Sequence, residues 1–114
     1  MTKLTVKHCI PCEGGIAPFD AAKIKTYLAQ VESWREHVAG KEISRDYQFK
    51  NYYQTMAFVN AIAWMAHYEN HHPDLEVGYN HCLVRYSTHA IGGLSENDFI
   101  CAAKVNQIFA HNAE

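Results

Sequence analysis

Three histidines and one acid whose types suit proton transfer fall on a single short stretch: His71 and His72 in Asn70-His71-His72-Pro73, then His89, then Asp98. Histidine has an unperturbed pKa of about 6.5, so it gives and takes protons near neutral pH. The pair His71-His72 lies where a long apolar helical pattern breaks at Pro73 and a strand pattern begins. A helix end that carries two adjacent imidazoles to the mouth of a sheet is suited to general acid and base catalysis.

The rest of the chain must position those side chains. Its 114 residues, 48% hydrophobic and 19% charged, allow one hydrophobic core and do not allow two. A formal charge of −2 leaves no basic footprint for nucleic acid or an anionic membrane. Residues Met1 to Ile10 contain two lysines and no apolar run, so no signal peptide is expected. His67, Glu69 and Asn70 interrupt the most apolar window, so no membrane span is expected either, and a cytoplasmic protein is the default. The four cysteines, Cys9, Cys12, Cys82 and Cys101, then read as reduced thiols rather than a disulfide framework. The one anomaly in composition is histidine: of eight, His67, His71, His72, His81 and His89 share one region.

Residues 1–18, with Cys9-x-x-Cys12, Gly14-Gly15 and two prolines, show no periodicity and read as an irregular arm ahead of a single domain over 19–114. Phe19 to Val31 carries Ile24, Leu28 and Val31 on one helical stripe, with Asp20 as N-cap or first-turn acid. Trp34 to Val38 and Ile43 to Phe49 read as a hairpin around Ala39-Gly40-Lys41; Ile43, Arg45, Tyr47 and Phe49 share one face. Asn51 can cap a helix from Tyr52 to Glu69 whose broad apolar face (Met56, Phe58, Val59, Ile62, Ala63, Met65, Ala66) makes it the most buried one. Leu75 to Tyr79 and His81 to Thr88 form a second strand pair, and Gly92-Gly93 a turn. Ser95-Glu96-Asn97-Asp98 has the form of a capping box and opens a last helix to about Phe109, with the stem of Lys104 on its inner side. The predicted fold is α+β: a four-stranded antiparallel sheet covered on one face by three helices, in the order α-β-β-α-β-β-α.

Taken together, Asn70-His71-His72-Pro73, Ser87-Thr88-His89 and Gly93-Leu94-Ser95-Glu96-Asn97-Asp98 resemble the pterin-4a-carbinolamine dehydratase family. The resemblance extends from about Tyr27 to Gln107 and includes Trp34, Phe49-Lys50-Asn51-Tyr52 and Tyr79-Asn80; the His8-Cys9-x-x-Cys12 arm is similar to that of some bacterial members. It implies dehydration of 4a-hydroxytetrahydropterin, the by-product of pterin-dependent aromatic amino-acid hydroxylases, to quinonoid dihydropterin. It also implies no metal and no other cofactor, and a homodimer or homotetramer. Carried onto this chain, His71, His72 and His89 line the pterin pocket and Asp98 supports it, with Pro73, Ser87 and Thr88 beside His71 in binding. His72 and His89 are then the proton-transfer pair in either order, and His71 binds or shares the role. Family members often carry an acid four residues before the first histidine and an aromatic residue after the proline; this chain has His67 and Leu75 there.

Each of these residues has a plainer reading. Asp98 is also the N3 acid of its capping box, worth about 1 kcal/mol of helix stability. Arg85 reads as a solvated strand position, and Phe58 and Trp64 read as core at helical spacing. Two other functions compete with the dehydratase. One is a metal site, since His67 and His71 share a helix face and Cys9 and Cys12 make half of a tetrahedral zinc site. The other is a non-catalytic protein-binding module of the same fold.

Overall fold

The computed structural model describes residues 3–11 and 16–112. Its elements are α1 (Ala21–Leu28), β1 (Arg35–Val38), β2 (Glu42–Gln48), α2 (Tyr52–Glu69), β3 (Asp74–Val77), β4 (His81–Tyr86) and α3 (Glu96–Asn112), with short 3-10 turns at Leu4–Val6 and His89–Ile91. The order and class are those predicted. The sheet is antiparallel throughout, in the order β1-β2-β4-β3, so its central pair β2–β4 joins strands separated in sequence by α2 and β3.

Alternation along the central strands sends Ile43, Tyr47, Cys82, Val84 and Tyr86 to the helical side, where all are buried. They meet Ile24 of α1, Phe58 and Ile62 of α2, and Phe99, Ile100 and Val105 of α3 in one core. Arg45 shares that inward face without leaving a buried charge stranded. Its guanidinium lies 4.4 Å from the Tyr47 ring centre and donates to Asn106 Oδ1 at 2.8 Å, an atom that also accepts from Trp34 Nε1.

The helix ends follow local chemistry. The Asp20 and Asn51 side chains accept from the amides of Lys23 and Gln54, both at 2.9 Å, so both predicted caps form. α2 stops because Asn70 turns left-handed (φ 54°), a conformation that asparagine tolerates better than most residues. The His71 amide then bonds back to the Ala66 carbonyl at 3.1 Å, which turns the chain toward β3 and brings the double histidine to the end of the helix. α1 is shorter than expected, yet Val31 beyond it is still buried.

One expectation about the core is corrected. Trp64 is 73% exposed, and with it Tyr53 and Tyr68 stand on the outer face of α2. Helical spacing identifies an apolar stripe but not which side of a broad stripe meets the sheet; here Phe58, Ile62 and Ala66 take the inner side. Among the described arm residues Leu4 is buried, and the 3-10 turn that contains it lies on α3. Cys12 and Gly14-Gly15 fall outside the described residues, so the predicted Cys9-x-x-Cys12 pair is described only at Cys9.

The loop that carries His89 is held at Gly93. A bridge joins Thr88 to Gly93, and a Cβ on Gly93 would lie 2.6 Å from the Pro18 side chain and 3.2 Å from the Gly40 carbonyl. Gly93→Ala should therefore destabilise the fold by about 1–3 kcal/mol through overpacking, read as a lower midpoint in urea unfolding.

Candidate active site

The site is built outward from a carboxylate. Asp98, in the first turn of α3, is wholly buried, and each of its oxygens is engaged. Oδ1 lies 2.7 Å from His71 Nε2, while Oδ2 accepts from the Ser95 amide at 3.0 Å and from the Thr88 hydroxyl at 2.8 Å. Because Thr88 gives its proton to Asp98, the Ser95 hydroxyl donates to Thr88 across 2.8 Å. The acid's half of the capping box therefore forms, while the Asp98 amide bonds to the Ser95 carbonyl and the Ser95 hydroxyl goes to Thr88; the same acid also holds a histidine, so the two readings of Asp98 are one arrangement. A carboxylate only accepts, so His71 donates to Asp98 from Nε2. The imidazole is further fixed by stacking on the buried Tyr86 ring, 5.4 Å between centres at 17°.

His71, His72 and His89 line one cleft of about 490 Å³, together with Ser87, Thr88 and Asn70. His72 and His89 are exposed in it and His71 is half-buried. The predicted binding residues divide. Ser87 is on the cleft wall. Thr88 reaches the wall too, but its hydroxyl is spent on Asp98. Pro73 is not on this cleft: it lines a neighbouring groove of about 400 Å³ with Ile62, His67 and Leu75, which meets the first cleft at Asn70, His71 and His72. His67, the departure from the family pattern, thus faces the other side of the double histidine. Arg85 is not simply solvated, since it pairs with Glu76 at 3.2 Å and lies 3.6 Å from Glu42. Among the described residues no three His, Cys, Asp or Glu side chains converge as a metal-binding group.

Two site residues and one segment went unread in the sequence. Cys9, Ile10 and Pro11 of the arm form part of the same cleft wall, with Glu69 and Asn97 behind them. Glu69 accepts from the Cys9 amide at 2.7 Å and pairs with His8 Nδ1 at 3.0 Å and Lys104 Nζ at 3.3 Å. A signal was present: an acid in the last turn of a helix opposes the helix dipole and calls for a compensating partner. Burial pulls the Glu69 carboxyl upward, but the Cys9 amide, His8 and Lys104 outweigh it and hold it below the ordinary carboxylate range. Cys9 Sγ rests 3.5 Å from the buried Cys101 Sγ; that thiol contact, with burial, pushes the Cys9 thiol far up.

Two stability measurements follow. Asp98→Ala strips an acceptor from three buried or half-buried donors, so its loss in urea unfolding should be on the order of 3 kcal/mol rather than the ~1 kcal/mol of an ordinary cap. Glu69, lowered in the folded state, stabilises the fold above its unfolded pKa, and that contribution is lost as pH falls through the lower folded value. Unfolding midpoints between about pH 6 and pH 3 should fall more steeply in the unmodified protein than in Glu69→Gln.

The pterin 4 alpha carbinolamine dehydratase family pattern matches residues 17–108. A protein of Nitrosomonas europaea that carries the family's name is 60% identical over 107 residues, covering 93% of each chain. One of Nitrosospira multiformis is 57% identical over 106 residues, covering 93% of this chain and 92% of its own. Among solved structures, a transcriptional coactivator/pterin dehydratase from Brucella melitensis superposes with a TM-score of 0.76 at 27% identity, over 79% of this chain and 96% of that one. A pterin dehydratase-like protein identified as a RuBisCO assembly factor in the alpha-carboxysome shares the fold, with a TM-score of 0.59 at 24% identity, over 68% of this chain and 89% of that one. The match over residues 17–108 and relatives at 57–60% identity show that this chain belongs to the pterin-4a-carbinolamine dehydratase family.

Proposed function

We propose that the protein dehydrates 4a-hydroxytetrahydropterin to quinonoid dihydropterin by histidine acid–base catalysis, without a metal or cofactor. The observation that carries this reading is that three imidazoles line one cleft, one of them held by a buried carboxylate. In the reaction the C4a–O bond breaks, the hydroxyl takes a proton and leaves as water, and the N5 proton is removed as the C4a–N5 double bond forms. One group must donate and another accept, each titrating near neutral pH. His72 and His89, exposed in the cleft, are our proton-transfer pair. His71, backed by Asp98, binds the ring or shares the transfer, and Asp98 acts as a positioning residue because it is wholly buried behind His71. The family supports the pterin, and the relatives carry the activity as a provisional name.

An aromatic amino-acid hydroxylase, acting in the cytoplasm, is the source of substrate in this reading, and the chain works as a homodimer or homotetramer. A second reading, a non-catalytic binding module, draws on the exposed aromatic face of α2, where Tyr53, Trp64 and Tyr68 are 71–81% exposed. It is also supported by the general rule that one fold can host several functions.

One assay separates the two. Metal-stripped protein is added to 4a-hydroxytetrahydropterin generated in place by an aromatic hydroxylase. Quinonoid dihydropterin should form well above the uncatalysed rate, and His72→Ala should lose about 10²–10⁴-fold in kcat with its fold intact, since the side chain is exposed. A rate equal to background would end the dehydratase reading; activity restored only by zinc would move the chemistry to a metal.

A further inference from the structure

We infer that the arm residues Cys9, Ile10 and Pro11 are a substrate-contacting wall of the pterin cleft, with Glu69 and Asn97 as the positioning residues that set that wall against His71. The inference rests on the pterin reading above and goes beyond the histidine motif, because the arm lies ahead of the stretch matched by the family, residues 17–108.

The anchoring is paired with the catalytic scaffold on both helices. At the end of α2, Glu69 holds the Cys9 amide two residues before His71. At the start of α3, Asn97 stands next to Asp98. Asn97 Oδ1 accepts from the Ile10 amide at 3.1 Å and its Nδ2 donates to the Ile10 carbonyl at 2.7 Å. The same two turns of helix that place His71 therefore place the arm, and Glu69 and Asn97 are both buried while doing so. Three further contacts close the clasp. Lys7 pairs with Glu96 at 2.9 Å, Lys104 Nζ donates to the Thr5 carbonyl at 3.2 Å, and Cys9 meets Cys101.

The chemistry of the wall follows from those bonds. Both backbone polar groups of Ile10 are consumed by Asn97, and Pro11 has no amide proton to offer. What the arm presents to the cleft is therefore mainly apolar: the Ile10 side chain, 66% exposed, and the Pro11 ring. An apolar surface opposite hydrogen-bonding imidazoles suits the face of a flat bicyclic heterocycle, whose polar groups lie along its edges. Cys9 backs this wall by packing on the core, its thiol 3.5 Å from that of Cys101.

The test is a split between KM and kcat in the full chain. Ile10→Asp changes an exposed side chain and leaves the fold intact, while Asn97→Ala releases the anchor. Both should raise KM for 4a-hydroxytetrahydropterin by about tenfold with kcat affected far less, the signature of lost binding rather than lost proton transfer. In Asn97→Ala the Ile10 amide should also exchange its hydrogen faster. If the unmodified protein turns over and Ile10→Asp keeps its KM, or if the whole loss falls on kcat, the wall is wrong and the dehydratase reading stands. If the unmodified protein does not turn over, both fall together.

Discussion

The arrangement depends on one buried carboxylate with no unsatisfied oxygen. An acid taken out of water is costly unless hydrogen bonds replace its hydration, and Asp98 is compensated by three donors from three parts of the chain. Ser95 comes from its own helix start, Thr88 from the end of the sheet, and His71 from the far end of α2. Each donor is thereby tied to the others, so the acid that begins α3 also holds an imidazole twenty-seven residues away.

Around that centre the sheet and helices act as a frame. The central strands β2 and β4 place Tyr86 under the His71 ring, and the left-handed Asn70 lets α2 end where the histidines must emerge. Most buried polar residues among those described gather at this spot: Glu69, Thr88, Ser95, Asn97 and Asp98 belong to it, while Ser44 and Thr55 lie elsewhere. Such groups are tolerated in a core only when satisfied, and a satisfied polar network is rigid. Rigidity is what proton transfer between fixed partners requires. The exposed His72 and His89 are the complement: they stay open to solvent at the edge of this network.

The arm extends the same logic to a segment with little secondary structure. It has few backbone bonds of its own, so side chains from α2 and α3 supply them: Glu69 for the Cys9 amide and Asn97 for both groups of Ile10. Lys104 and Glu69, opposite in sign and both largely buried, compensate each other beneath it. A segment anchored in this way is part of the domain's surface shape.

The sequence by itself determined the element order, the caps at Asp20 and Asn51, the bond between Asp98 and the Ser95 amide, and the membership of the histidine cluster. All of these rest on local chemistry: alternation of two or 3.6, side chains that bond to nearby amides, and residue types that titrate near neutrality. Only the tertiary structure decided which side of α2 is buried, leaving Trp64 outside, and placed Pro73 in a second groove. It alone brought Cys9 and Ile10 to the cleft. It also joined the two readings of Asp98, because Ser95 is three residues away and legible, whereas the Thr88 and His71 contacts close only when sheet and helices pack. Periodicity reports which residues share a face. What that face meets is set by long-range packing, and no local pattern encodes it.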